Sequence, residues 1–179
     1  MIQIIRGELA ATTAEAVLRP VSAEWTAVTP ATRRLEIAAG QELERQCRTL
    51  GELPVGSAVI TGAGELAAQF MIHVIVRSYD EPVSLSGVRR GLDNGLRRVT
   101  EWGIQRLATA PLGTGAGNLE PDDVASIMIP ALVERVRRGG PPREVEVYVD
   151  SEYEKEVFER QLARLWQHTA EDVTHPGDR

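Results

Sequence analysis

Short apolar segments alternate along this chain with helical segments, and this alternation restricts the possible folds more than any other feature. Ile2 to Arg6 and Glu144 to Val149 are predicted strands, the second because apolar and polar residues alternate in it. Ser84 to Gly103 is the clearest helix, since its apolar residues recur at helical spacing. The full predicted order is strand, strand, helix, strand, strand, helix, strand, helix, strand and helix. It predicts an α/β fold in which helices cover both faces of a mixed, largely parallel sheet.

Proline and glycine set the expected ends of several elements. The second strand, Ala16 to Leu18, is expected to end before Pro20, because proline restricts the residue that precedes it. A helix is predicted over Ala31 to Leu50, with an interruption at Gly40. In the helix that follows residue 120, Pro130 is expected to cause a break or kink, since it lacks a backbone N–H.

The size and composition of the chain favour one globular domain. Its 179 residues are 42% hydrophobic, so we expect a single domain over residues 1–170 and a disordered tail over 171–179. No stretch approaches the roughly 18 apolar residues of a membrane span, and no signal peptide is predicted, so a cytoplasmic location is expected. The single cysteine, Cys47, excludes an internal disulfide framework and a cysteine-based zinc cluster. No metal site and no cofactor are predicted.

The charge of the chain bears on its partners. A net charge of -6 argues against general binding to nucleic acid, which requires a basic surface. Aromatic residues make up only 4% of the chain, too few for a base-stacking platform. A small phosphate ligand stays possible, because backbone amides bind phosphate without any net positive charge.

A glycine-rich segment, PLGTGAGN at residues 111–118, lies between a predicted strand and a predicted helix. Ligands of such sheets bind beyond the carboxyl ends of strands. Glycine lets the backbone approach a ligand closely, and consecutive amides at a helix N-terminus can converge on a phosphate. The alternative is a tight turn without a ligand. The segment is not a P-loop, since no Gly-Lys-Ser/Thr follows.

A carboxylate follows the first predicted strand in the segment Gly7-Glu8-Leu9. This place also lies at the carboxyl end of a strand, so Glu8 could accept a hydrogen bond from the exocyclic amino group of a base. The alternative is an exposed loop acid.

Five segments of the chain resemble motifs of the macro domain family. They are Gly7-Glu8-Leu9, Ala38-Ala39-Gly40, the segment 56–66, Ile72-His73 and the segment 112–117. The resemblance extends from about Ile2 to Leu165 and includes the order of the elements. It implies a three-layer α/β/α fold with a six-stranded mixed sheet, and residues 1–170 as a macro-like domain. The usual ligand of the family is ADP-ribose or a related adenine nucleotide, and some members hydrolyse ADP-ribosyl groups.

The resemblance also implies roles for individual residues. Glu8 corresponds to the aspartate that holds the adenine amino group in the family, and Leu9 takes the neighbouring backbone position. Gly113, Thr114, Gly115, Ala116 and Gly117 correspond to the second ligand loop, which wraps the phosphates. The expected partner is therefore an ADP-ribose-like small molecule or an ADP-ribosylated macromolecule.

The first ligand loop departs from the family pattern. The family's Asn-Ala-Ala-Asn is matched here by Arg19-Pro20-Val21-Ser22, which puts Ser22 where an asparagine contacts the distal ribose. Residues 28–34 contain no glycine, so Cβ atoms restrict how closely the backbone of this loop can approach a ligand. Arg33 or Arg34 could supply charge to a phosphate instead. The alternative is that both arginines are helix-surface residues.

Three functions follow from these observations. The first is binding of ADP-ribose or a related adenine nucleotide through the glycine-rich loop. The second is hydrolysis of an ADP-ribosyl group, for which the sequence indicates no catalytic residue. The third is an interaction or oligomer scaffold with a pocket that binds nothing. The oligomeric state is not predicted, and His73 is interpreted as a buried core histidine.

Overall fold

A computed structural model describes residues 1–115 and 118–172 of the chain. The strands are β1 (Ile2–Arg6), β2 (Ala16–Ser22), β3 (Ala58–Gly62), β4 (Phe70–Arg77), β5 (Arg106–Thr109) and β6 (Glu144–Val149). The helices are α1 (Pro30–Ala39), α2 (Gln41–Thr49), α3 (Leu85–Glu101), α4 (Pro121–Arg137) and α5 (Glu152–Asp172). Residues 173–179 of the predicted tail lie outside the described residues.

The strands form one six-stranded sheet in the order β1-β6-β5-β2-β4-β3. All neighbouring pairs are parallel except β3 and β4, which are antiparallel. The predicted mixed α/β sheet is therefore confirmed. Because β1, β2, β5 and β6 point the same way, their carboxyl ends meet at one edge of the sheet.

Two hydrophobic cores lie on opposite faces of this sheet. On one face α3, α4 and α5 pack through side chains such as Leu92, Met128 and Phe158. On the other face α1 and α2 pack through Leu35 and Leu43. The side chains of β2 alternate between the two cores, as the two-residue repeat of a strand requires. The result is the expected three-layer α/β/α arrangement.

The expected end of the second strand before Pro20 is wrong. Strand β2 continues to Ser22 and stays paired with β4, with Pro20 opposite Val74. The pairing of β2 with β5 covers only Ala16–Leu18. Pro20 thus lies where β2 has a partner on one side only, and a proline is tolerated beside an unpaired edge.

The other two breaks have different outcomes. The interruption at Gly40 is confirmed, since α1 ends there and α2 begins with Gln41. Gly40 has a φ of +89°, which favours glycine. The break expected at Pro130 does not occur, because α4 runs through it as a single helix, and the kink that was the alternative stays a prediction. Buried residues on both sides, such as Val124 and Leu132, hold this helix against the core and offset the missing hydrogen bond.

Candidate functional site

A cavity of about 590 Å³ lies at the carboxyl edge of the sheet, beyond β1, β5 and β6. This volume is within the range of small-molecule sites. Four stretches of chain supply its walls: the turn after β1, the start of α1, the region from the end of β5 to the start of α4, and the end of β6 with the start of α5. The lining residues are Gly7, Glu8, Leu9, Thr29, Pro30, Ala31, Thr32, Ala110, Pro111, Thr114, Gly115, Asn118, Leu119, Glu120, Pro121, Tyr148, Asp150, Ser151, Tyr153 and Glu154.

The glycine-rich loop presents polar groups to this cavity. Thr114 is only 4% exposed, but its hydroxyl stays accessible from the cavity and forms no hydrogen bond within the described part of the chain. The backbone amides of Thr114 and Gly115 likewise donate to no described residue. The loop itself is held by two backbone bonds, from Asn118 to Gly115 at 3.0 Å and from Leu119 to Gly113 at 2.9 Å. These donors are therefore available to a ligand.

Gly115 allows the loop to approach the opposite wall closely. Its φ is +113°, and a Cβ placed there would lie 3.0 Å from the Cγ2 of Thr29. Any larger residue would be strained at this φ and crowded against the start of α1. Gly113 has a φ of +137° but is buried behind the loop, where a Cβ would lie 2.9 Å from the Cγ2 of Val88.

The start of α1 forms the wall that faces the loop. Thr29 caps the helix, because its hydroxyl accepts from the Thr32 amide at 3.2 Å, while the Thr32 hydroxyl accepts from the Thr29 amide at 3.0 Å. Pro30 has no N–H, so Ala31 carries the first amide of the helix, and that amide has no described acceptor. Helices α4 and α5 also begin at the cavity, with Pro121 and Ser151 in its lining. Three helix N-termini thus direct partial positive charge at one space.

The end of the cavity near β1 and β6 carries an ion cluster. The Arg34 Nε donates to both oxygens of the Glu8 carboxylate at 3.0 Å, and its Nη2 donates to the Asp150 Oδ1 at 3.1 Å. The hydrogen bond that Arg34 donates to Glu8 is the main reason why the pKa of Arg34 is raised. All three side chains are about half exposed.

Aromatic and apolar side chains lie at the same end. Leu9 is buried, Tyr148 is half-buried and Tyr153 is exposed. The Tyr148 hydroxyl donates to Glu146 at 3.1 Å, and burial raises the pKa of Tyr148. The Tyr153 hydroxyl donates to Asp122 at 3.0 Å, and this bond raises the pKa of Tyr153. Such a combination of flat apolar surface and a carboxylate suits a base with an amino group.

The charged side chains that line the cavity are all acidic. They are Glu8, Glu120, Asp150 and Glu154, and no lysine, arginine or histidine stands among the lining residues. Arg34 offsets the charge of Glu8 and Asp150 from outside the lining. Glu154 accepts from the Asp150 amide at 3.1 Å, whereas Glu120 has no ion-pair partner in the described ranges. Anion binding here would rely on backbone amides and helix N-termini.

The structure brings together several of the residues that the sequence indicated. Glu8, Leu9, Thr114 and Gly115 all line the cavity, and Gly113 lies directly behind it. Ala116 and Gly117 lie outside the described residues. The assigned binding roles of all these residues stay predictions.

Ser22 and Arg33 do not line the cavity. Ser22 is buried, and its hydroxyl lies 2.8 Å from the Thr26 hydroxyl and accepts from the Thr26 amide at 3.1 Å. Arg33 points to Glu36, with an Nη1 to Oε2 distance of 3.1 Å. It lines a neighbouring cleft of about 430 Å³ that shares only Thr29 and Pro30 with the cavity.

Sequence reasoning did not find the buried cluster below α1. Arg19 is 3% exposed and donates from Nη1 to the Glu36 Oε1 at 2.6 Å. Its Nε donates to the His73 Nδ1 at 2.9 Å. The cluster ties α1 to the centre of the sheet. A charged residue between the apolar residues of β2 was the signal that could have revealed it.

His73 is a fully buried core residue, which confirms the interpretation made from the sequence. Because Nδ1 accepts from Arg19, the proton of the neutral ring lies on Nε2, which is 2.8 Å from the Thr61 hydroxyl. The Thr61 hydroxyl in turn donates to the Gly62 carbonyl. Burial, and then the charge of Arg19, holds the pKa of His73 well below its usual value.

The described residues also bear on metal binding and on membrane insertion. Across residues 1–115 and 118–172, no group of three or more histidine, cysteine, aspartate or glutamate side chains is placed to hold a metal ion. None of the helices in the same ranges combines the length and apolar character that crossing a bilayer demands.

Comparison with known proteins identifies the family. The model of the Macro domain matches residues 31–128, and the chain belongs to this family. An uncharacterized protein of Aeropyrum pernix is 31% identical over 146 residues, which cover 80% of this chain and 75% of that protein. The O-acetyl-ADP-ribose deacetylase of Citrobacter rodentium is 24% identical over 169 residues, which cover 91% of this chain and 96% of that protein. The chain spans only about 30% of a longer uncharacterized protein of Mycobacterium tuberculosis.

Solved structures show the same fold. The Oceanobacillus iheyensis macrodomain with ADP has a TM-score of 0.83 at 18% identity, and the match covers 92% of this chain and 91% of that one. The Trypanosoma brucei macrodomain in complex with ADP-ribose has a TM-score of 0.80 at 17% identity, and the match covers 89% of this chain and 68% of that one.

Proposed function

We propose that this chain binds ADP-ribose or a related adenine nucleotide in the cavity at the carboxyl edge of its sheet. The observation that carries the proposal is the loop at Thr114 and Gly115, whose backbone amides and Thr114 hydroxyl have no partner among the described residues and lie on the cavity wall opposite the N-terminus of α1. Phosphate fits such a set of donors. The comparisons support the proposal, since two macrodomains of the same fold are complexes with ADP and with ADP-ribose.

The two ends of the cavity suggest how such a ligand is oriented. The phosphates would lie between Gly115 and Ala31, where amides without acceptors occur on both walls. The base would lie against Leu9 and Tyr148, with its amino group directed at the Glu8 carboxylate. The acidic lining has a consequence for affinity, because phosphate binding would have to overcome the repulsion from Glu120.

Replacement of Gly115 tests the proposal. The variant Gly115→Val places a branched side chain at a φ of +113° and within 3.0 Å of Thr29, so it should narrow the cavity and weaken binding at least tenfold. The matched control is Gly62→Val, since a Cβ at Gly62 meets nothing within 4 Å. Binding of ADP-ribose, ADP and AMP would be measured by calorimetric titration, with circular dichroism and thermal melts to show that both variants fold.

The outcomes separate the possible functions. Saturable binding by the unmodified chain that is lost in Gly115→Val and kept in Gly62→Val supports the proposal. Equal affinity in Gly115→Val would remove the glycine-rich loop from the binding site. Absence of binding to all three nucleotides would overturn the proposal and favour the scaffold function.

Hydrolysis of an ADP-ribosyl group is the second candidate. It is favoured by the similarity to an O-acetyl-ADP-ribose deacetylase over 91% of this chain. Release of ADP-ribose from an ADP-ribosylated protein or DNA, or of acetate from O-acetyl-ADP-ribose, would be assayed directly. Lack of product under conditions where ADP-ribose binds would restrict the chain to a binding function. An ADP-ribosylated macromolecule as partner and a cytoplasmic location belong to this same proposal.

A further inference from the structure

Two acidic side chains lie next to each other at one end of the cavity because of the sheet order. Strands β1 and β6 are neighbours, and the Gly7 amide still donates to the Val149 carbonyl at 3.3 Å where they end. Glu8 follows β1 after a single residue, Gly7, and Asp150 follows β6 directly. Without a cation between them, their carboxylates would repel each other and separate.

Arg34 of α1 supplies that cation. It donates to both Glu8 oxygens through one nitrogen, at 3.0 Å each, and reaches Asp150 through another at 3.1 Å. A carboxylate has about four acceptor positions, so each Glu8 oxygen keeps one for a further donor. Arg34 therefore fixes the direction of the Glu8 carboxylate and leaves part of it free toward the cavity, which Glu8 lines.

A carboxylate with a fixed orientation determines which base can bind beside it. An ionised carboxylate only accepts hydrogen bonds. Adenine presents an amino group, which is a donor, at the position where hypoxanthine presents a carbonyl oxygen, which is an acceptor. A fixed, ionised Glu8 would bind the amino group of adenine and repel the carbonyl oxygen of hypoxanthine. A mobile Glu8 could instead turn away from that carbonyl oxygen.

We infer that Arg34 is a positioning residue that holds Glu8 toward the base and thereby makes the cavity select adenine over hypoxanthine. The inference rests on the proposed function and deepens it, since it names the residue behind the choice of base. Arg34 itself does not line the cavity and acts through Glu8.

The test compares adenosine 5′-diphosphate with inosine 5′-diphosphate by calorimetric titration. The variants are Arg34→Met, which removes the cation, and Arg34→Lys, which keeps the charge but lacks the fork of donors. The control is Arg89→Met on α3, which removes another exposed arginine of an ion pair, with Asp93, away from the cavity. Thermal melts of all variants show that they fold.

The expected result is a change in preference and not only in affinity. The unmodified chain and Arg89→Met should prefer the adenine nucleotide, and Arg34→Met should lose about fivefold of that preference, because it binds the adenine nucleotide more weakly and the inosine nucleotide no more weakly than the unmodified chain does. Arg34→Lys should fall between them. An unchanged preference in Arg34→Met, or an equal loss of both ligands, overturns the inference while the proposed function stands. If the unmodified chain binds neither ADP nor ADP-ribose, the proposed function fails and this inference fails with it.

Discussion

Replacement of Arg19 by methionine should lower the free energy of unfolding by about 4 kcal/mol. Methionine fills most of the space of the side chain but leaves the Glu36 carboxylate, which is 7% exposed, without its 2.6 Å partner. Loss of one partner of a buried pair costs about 3–5 kcal/mol. The buried Nδ1 of His73 also loses its donor, which adds about 1–3 kcal/mol. The remaining bond from Arg33 to Glu36 at 3.1 Å offsets part of the sum.

Urea denaturation of the unmodified chain and the variant measures this loss, provided that both show the same dependence on urea concentration. Arg33→Met is the matched control, because it removes the exposed cation from the same carboxylate and should cost less than about 1 kcal/mol. The double variant Arg19→Met with Glu36→Gln should be more stable than Arg19→Met alone, since no uncompensated charge is left. A loss below about 1 kcal/mol in Arg19→Met would refute the reasoning.

Two further predictions concern pH and charge. Because the pKa of His73 is held well below its usual value in the folded chain, the unfolded chain binds more protons in acid, so stability should fall as pH drops below about 6.5. This contribution is at most about 1.4 kcal/mol per pH unit, and a His73→Gln variant should lack it; parallel stability curves for the two chains would contradict it. Glu120→Gln should tighten ADP binding about threefold at low salt and have less effect at high salt, because it removes an exposed carboxylate beside the proposed phosphate position. Glu101→Gln is the control, since it removes a carboxylate that is paired with Arg98 on α3. If it tightens ADP binding as much as Glu120→Gln does, the effect comes from net charge and not from the position of Glu120.

Elements with a strong local signal could be predicted from the sequence. Strands β1 and β6 have the predicted bounds, because β6 alternates in apolar character and glycine ends β1. The break at Gly40 follows from a local backbone conformation. The effects of Pro20 and Pro130 could not be predicted, since they depend on which side of β2 is unpaired and on how firmly α4 packs.

The candidate site shows the same division. The common location of Glu8 and Thr114 follows from the sequence pattern, because both come after strands of a largely parallel sheet and the carboxyl ends of such strands meet at one edge. Ser22 also ends a strand, but the isolated bridge between Val21 and Ala27 turns the chain back, and the Ser22 hydroxyl bonds to Thr26 instead. Residues 22–26, which form this turn, include no glycine or proline from which it could be predicted. The pairing of Arg34 with Glu8 links residues 26 positions apart, which no local pattern reveals.

The cavity lies where the two outer layers of the domain come within reach of each other. Thr29 belongs to the start of α1 on one face of the sheet, and Pro121 to the start of α4 on the other. A molecule in the cavity would therefore contact both outer layers of the domain at once. Because such a ligand binds only the folded chain, it would raise the free energy of unfolding of the whole domain, by an amount that grows with its concentration relative to Kd, and both layers would melt together at a higher temperature.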